Sequence, residues 1–109
     1  MESQEAKTPE QRLDDVIADW KAGIVHAAAA ERKYREVKSQ KWVEMKVLPE
    51  FQKAVSPEKQ AWVDAETAEL REARDIAEGM LRVYGEECRN IRQVMSLRQS
   101  EMKAAGGLE

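Results

Sequence analysis

Few residues in this 109-residue chain are spaced to do covalent chemistry. His26 is the sole histidine, and its neighbours Val25 and Ala27 supply neither acid nor base. A hydroxyl or thiol nucleophile needs a base within hydrogen-bond reach, and no spacing here provides one. Cys88 follows Glu86 and Glu87, whose carboxylates disfavour a thiolate. Carboxylates four residues apart are interleaved with lysine and arginine, and there is no Glu-x-x-His pair of the kind that holds two metals between helices. Phosphate-binding glycine loops and dinucleotide fingerprints are missing too. The chain therefore reads as a protein that is not an enzyme and takes no metal or cofactor.

The residues with a chemical bias are cations. Arg71, Arg74, Arg82, Arg89 and Arg92, with Lys103, follow helical steps and form a rough stripe. The segment from Glu31 to Lys46 is also locally basic. Such a stripe could track the phosphates of a single-stranded nucleic acid. The plainer reading is a solvated face, because Arg71–Asp75, Arg74–Glu78 and Glu78–Arg82 sit four apart, each an ordinary helical ion pair. Net charge is −3 and the estimated isoelectric point about 5.4. Duplex-DNA binders draw affinity from counterion release and usually carry a basic excess, which this chain lacks.

Those residues must be positioned by helices. Charged residues make up 36% of the chain, with only five glycines and three prolines, too few turns for a sheet protein. The fold class expected is all-α. The Thr8-Pro9-Glu10-Gln11 run reads as a helix start: Thr8 caps, Pro9 suits the first turn, and Gln11 completes a capping box. Leu13, Ile17, Trp20, Ile24, Ala27, Tyr34 and Val37 then share a face to about Lys46, with Gly23 and Ala27–Ala30 as a thin waist. Pro49 ends that helix. Residues 50–55 read as a short corner turn carrying Phe51 and Val55 inward, with Trp42, Phe51 and Trp62 as its apolar plug. Ser56-Pro57-Glu58 repeats the start signal, with serine as cap, and a second helix follows to about Ala105, stopped by Gly106-Gly107. The organisation expected is a polar, flexible 1–7, one domain over 8–105 and a tail at 106–109: a long antiparallel helical hairpin with a short corner.

The second helix is the longer signal. Val63, Leu70, Ala73, Ala77, Met80, Tyr84, Ile91, Met95 and Met102 recur on one stripe, which in a straight helix would run roughly 60 Å. An elongated chain is expected. A flanking row of Trp62, Ala65, Ile76, Gly79, Val83, Val94 and Leu97 widens the apolar arc beyond what one neighbouring helix covers. Two hairpins paired as a four-helix bundle would cover it. A homo-oligomer is expected, a dimer in the first place, with Leu70, Ile76, Met80, Val83, Tyr84, Ile91, Val94 and Met95 at its interface. Glu66, Glu87 and Arg98 interrupt the seam, at its edges or paired across it. The first seven residues lack the apolar core of a signal peptide, and the longest apolar run, Ala27–Ala30, is far short of a membrane span. A lone cysteine fits a reduced compartment. The chain reads as soluble and cytoplasmic, without a membrane partner.

Trp20, the Ala-Glu-Arg-Lys-Tyr stretch at Ala30–Tyr34 and the closing Ser96–Lys103 run together resemble small helical accessory proteins of tailed bacteriophages and prophages, often encoded beside recombination or single-strand-annealing genes. The similarity spans most of the chain as a pattern of helix lengths and a Ser/Arg/Glu-rich ending, and it brings no catalytic motif. It implies a virus-encoded accessory of DNA recombination or replication, acting in a host cytoplasm. The function expected is a non-enzymatic helical oligomer binding another macromolecule, a protein partner of unknown identity. Two alternatives stand beside it: single-stranded nucleic-acid binding along the arginines, and inhibition of a host enzyme or defence complex, with Asp64, Glu66, Glu69, Glu72 and Asp75 imitating a phosphate track.

Overall fold

The computed structural model describes residues 6–107, which form three α-helices and no strand. The polar end expected at 1–7 and the tail at 106–109 lie partly outside the described residues. Helix α1 spans Pro9–Val47, a 3-10 turn spans Pro49–Phe51, α2 spans Ser56–Glu66 and α3 spans Ala68–Gly107. The two long helices pack against each other as an all-α helical hairpin.

The start of α1 is a capping box. The Gln11 backbone N–H donates to Thr8 Oγ1 at 3.1 Å, and the Thr8 N–H donates to Gln11 Oε1 at 2.9 Å. Two N–H groups that a helix start leaves orphaned are thereby satisfied. At the other end the residue before Pro49 turns extended, with Leu48 at φ −79° and ψ 126°. The Gln52 side-chain amide donates to the carbonyls of Lys46 and Leu48 at 2.9 and 3.2 Å, closing the chain end of α1.

Three local expectations are corrected. Ser56 does not cap α2: Val55 holds the cap position in extended geometry, makes no side-chain cap bond, and is 58% exposed rather than turned inward. The reason is that the Val55 carbonyl already accepts the N–H groups of Glu58 and Lys59, so the helix begins one residue early. The second helix is not continuous either. Thr67, fully buried, donates its hydroxyl to the Val63 carbonyl at 2.8 Å while its own N–H reaches the same oxygen at 3.0 Å. A threonine bonding back to the i−4 carbonyl bends a helix, and the chain breaks there, with Thr67 at φ −113° and ψ 9°, between α2 and α3. At the far end α3 runs on through Gly107, and the described glycines keep negative φ.

The structure divides into two compact units: one holds the chain up to Gly23 together with that from Met80 onward, and the other is Ile24–Gly79. In the second unit Ala27, Tyr34, Met45, Val63, Thr67 and Ala77 are buried. The helices run antiparallel there, since Glu31 meets Arg74 while the later Lys41 meets the earlier Glu66, at 3.4 and 3.5 Å. At the corner the Phe51 and Trp62 rings pack with centroids 5.6 Å apart and planes tilted by 56°, and Trp42 is half-buried. In the first unit Cys88 and Ile91 are buried, Trp20 lies against Gly85, and Gly23 lies against Tyr84.

The inward positions of the second helical segment alternate steps of three and four, the seam of a coiled coil. In the second unit these are Leu70, Arg74 and Ala77, and in the first Leu81, Tyr84, Cys88, Ile91 and Met95. The stripe expected from composition held the seven-residue series through Val63, Leu70, Ala77, Tyr84 and Ile91. It then took Ala73 and Met80, both exposed, in place of Arg74 and Leu81, and passed over Cys88, while Met95 and the exposed Met102 continue that second series. Apolar identity drew the stripe away from positions whose occupants are an arginine and a thiol.

Candidate interaction surface

His26 is exposed on α1, Cys88 is 1% exposed, and no cluster of three or more histidine, cysteine or acidic residues is placed to hold a metal among the described residues. Among the described residues no helix is long and apolar enough to cross a membrane.

The five candidate arginines separate. Arg74 lies on the inward seam, with its guanidinium 4.6 Å from the centre of the Tyr34 ring, and pairs with Glu31 at 3.4 Å and Asp75 at 2.9 Å. Desolvation lowers the Arg74 pKa, but its hydrogen bond to Asp75, the largest influence, carries it above the ordinary value. Arg71 pairs with Asp64 at 3.1 Å, reaching back across the Thr67 break. Neither makes the pair expected four residues on. The Tyr34 phenol beside them is pushed up by burial, yet Lys38 and Arg71 outweigh that and hold it below its ordinary value. Arg71 and Arg74 are thus occupied within their own unit. The same bonds neutralise much of the supposed phosphate mimic: Asp64 and Asp75 face these arginines, and Glu66 faces Lys41.

Arg82, Arg89 and Arg92 are different. They are exposed and rim an open groove of about 660 Å³ beside Trp20, with Glu86 as the acidic member. Gly85 shapes the floor: a Cβ there would lie 3.6 Å from Trp20 Cζ2, so the indole packs directly on the α3 backbone.

The eight expected interface residues also divide. Ile91 is 3% exposed, and Leu70, Tyr84 and Met95 are half-buried on the inward seam, so these four are covered by the chain's own α1. The correction has a simple cause. A single apolar arc had merged two adjacent stripes, one facing α1 and one facing outward. Ile76, Met80, Val83 and Val94 remain exposed, as does Leu97, which the flanking row contained and the interface set omitted. In the first unit Met80, Val83, Val94 and Leu97, with Glu87 and Asn90 between them, form a face of α3 on the flank opposite the arginine groove. In the second unit Ile76 borders a shallow groove with Ala65 and Ala68.

Comparisons with protein-family models, with curated proteins and with solved structures gave no match.

Proposed function

We propose that this chain is a non-enzymatic helical hairpin that works by holding macromolecules together, beginning with its own copies. The observation that supports it is the row of Met80, Val83, Val94 and Leu97, large apolar side chains left in water on one face of α3. Scattered apolar residues on a surface are ordinary, but a row at helical spacing is the kind of surface that another helix covers. Sedimentation or light scattering across a concentration series tests this: the wild type shifts from monomer to oligomer as concentration rises, and Val83→Glu with Val94→Glu abolishes the shift. A wild type that stays monomeric up to about 100 μM, an association weaker than about −5.5 kcal/mol, overturns it.

The resemblance to phage accessory proteins supports a setting in DNA recombination or replication within a host cytoplasm, with a protein of that machinery as the further partner. Affinity capture from infected cells checks it; recovery of no replication or recombination protein speaks against that setting.

A second reading has its own observation, the Arg82, Arg89 and Arg92 groove beside Trp20. Guanidinium groups beside an aromatic ring suit single-stranded nucleic acid. The reading requires binding to single-stranded DNA that weakens steeply with salt, with a log–log slope of about −2 for three phosphate contacts, and that the triple change of these arginines to alanine removes. No binding at low salt eliminates it.

A further inference from the structure

We infer that two copies dock through the exposed face of α3 in the first unit, antiparallel, about a two-fold axis passing between Cys88 and Arg89, with each copy's Glu87 bonded to the partner's Asn90. This rests on the self-association proposed above and adds orientation and register.

The argument comes from the order of residues along that face. Met80, Val83, Glu87, Asn90, Val94 and Leu97 follow steps of three, four, three, four and three, the repeat that lets two helices keep a common seam. All six are exposed in the chain by itself. Between Met80 and Leu97 the row reads the same from both ends: two apolar residues, two polar ones, two apolar. Such a palindrome favours a two-fold axis perpendicular to the helix, because each position then meets its mirror image. In that alignment Met80 faces the partner's Leu97, Val83 faces the partner's Val94, and Glu87 faces the partner's Asn90. The carboxylate accepts and the carboxamide N–H donates, so two charge-assisted hydrogen bonds form at the centre, one from each copy.

The alternatives are worse for a definite reason. A shift of the antiparallel pair by one heptad sets Glu87 against the partner's Leu97 or Val83, burying a carboxylate on an apolar side chain. That is the costly arrangement for a charge. A parallel pair sets Glu87 against the partner's Glu87, two like charges at the middle of the seam. Over Met80–Leu97, the centred antiparallel alignment alone puts apolar on apolar and donor on acceptor. Polar residues inside a helical seam set register and orientation in this way, at some cost in affinity.

The face is short, about 26 Å from Met80 to Leu97 at 1.5 Å per residue. Its six residues are fewer than the roughly 20–30 a side of a standard interface. The dimer is therefore weak, with dissociation in the micromolar range.

Disulfide trapping reads the geometry. One sample carries Val83→Cys, another Val94→Cys, each in the otherwise native chain; Cys88 is buried, and the wild type serves as its control. Oxidised together at a concentration where the wild type is dimeric, the two variants form a mixed disulfide dimer at least tenfold more than either does alone, since antiparallel docking leaves the two copies' own Val83 positions about 16 Å apart along the axis. In addition, Glu87→Leu with Asn90→Leu strengthens dimerisation while letting Val83→Cys chains link to themselves, as orientation loosens. A wild type that never dimerises sinks the self-association and this geometry together. Dimerisation with Val83→Cys linking to itself in the native polar background overturns the antiparallel register alone and leaves self-association standing. Dimerisation with no cross-link from either variant, alone or mixed, likewise overturns this docking face.

Discussion

At the scale of single residues, glycines separate crowding from vacancy within one long hairpin. A Cβ at Gly23 would sit 3.0 Å from Tyr84 Cε2 and 3.2 Å from Leu81 Cδ2, against a stiff ring edge, whereas at Gly79 it would meet nothing within 4 Å. Alanine inside a helix is favoured over glycine by about 1 kcal/mol. Gly79→Ala is therefore expected to stabilise by about that amount, and Gly23→Ala to destabilise, since overpacking costs about 1–3 kcal/mol. Urea titration of both variants checks the opposite signs. Tyr34 gives a second prediction. Its phenol titrates below its ordinary value of 10.0, because Lys38 and Arg71 favour the charged form more than burial opposes it. Between the folded and unfolded values the unfolded chain binds the proton and the native chain does not, so stability from this group rises with pH through that window and is lost again as pH falls through the folded value. The stability difference between wild type and Tyr34→Phe is expected to widen between neutral pH and pH 10, as measured by denaturant titration at each pH.

At the scale of elements, the helix termini and their chemistry were legible where one local signal suffices. Thr8 and Gln11 form the reciprocal bonds their spacing announces, and Thr8→Ala is expected to cost about 1 kcal/mol, read as a lowered urea midpoint. Ser56-Pro57-Glu58 carries the same signal yet caps nothing, because the preceding Val55 carbonyl had already taken the first helical bonds. The break at Thr67 was hidden for a different reason. Threonine is unremarkable on an exposed helix face, and its effect here depends on burial that packing within the unit imposes. The exposure of the candidate surface was half legible. Ile76, Met80, Val83 and Val94 were picked out and lie in water, while Leu70, Tyr84, Ile91 and Met95 were picked out with them and lie against α1. The two stripes lie only about a quarter turn apart on one helix, and apolar identity alone does not tell a neighbour within the chain from one outside it. Likewise a run of arginines gave no sign that Arg74 would lie over the Tyr34 ring while Arg89 would stay in solvent.

At the scale of the whole molecule, the proposed self-association would couple to folding. A partner that binds the folded chain and not the unfolded one raises apparent stability with concentration. The thermal midpoint is accordingly expected to climb as protein concentration increases. Val83→Glu, on an exposed position, is expected to flatten that dependence while leaving the midpoint of the dilute monomer within about 0.5 kcal/mol of wild type. Calorimetry over a hundredfold concentration range distinguishes the two.

Cys88 lies at the edge of the arginine groove with a single per cent of its surface open. A bulky alkylating reagent reaches its sulfur only when the packing around it opens locally, so the labelling rate times those openings. The chain thus carries its own stopwatch for local opening, with no foreign probe attached.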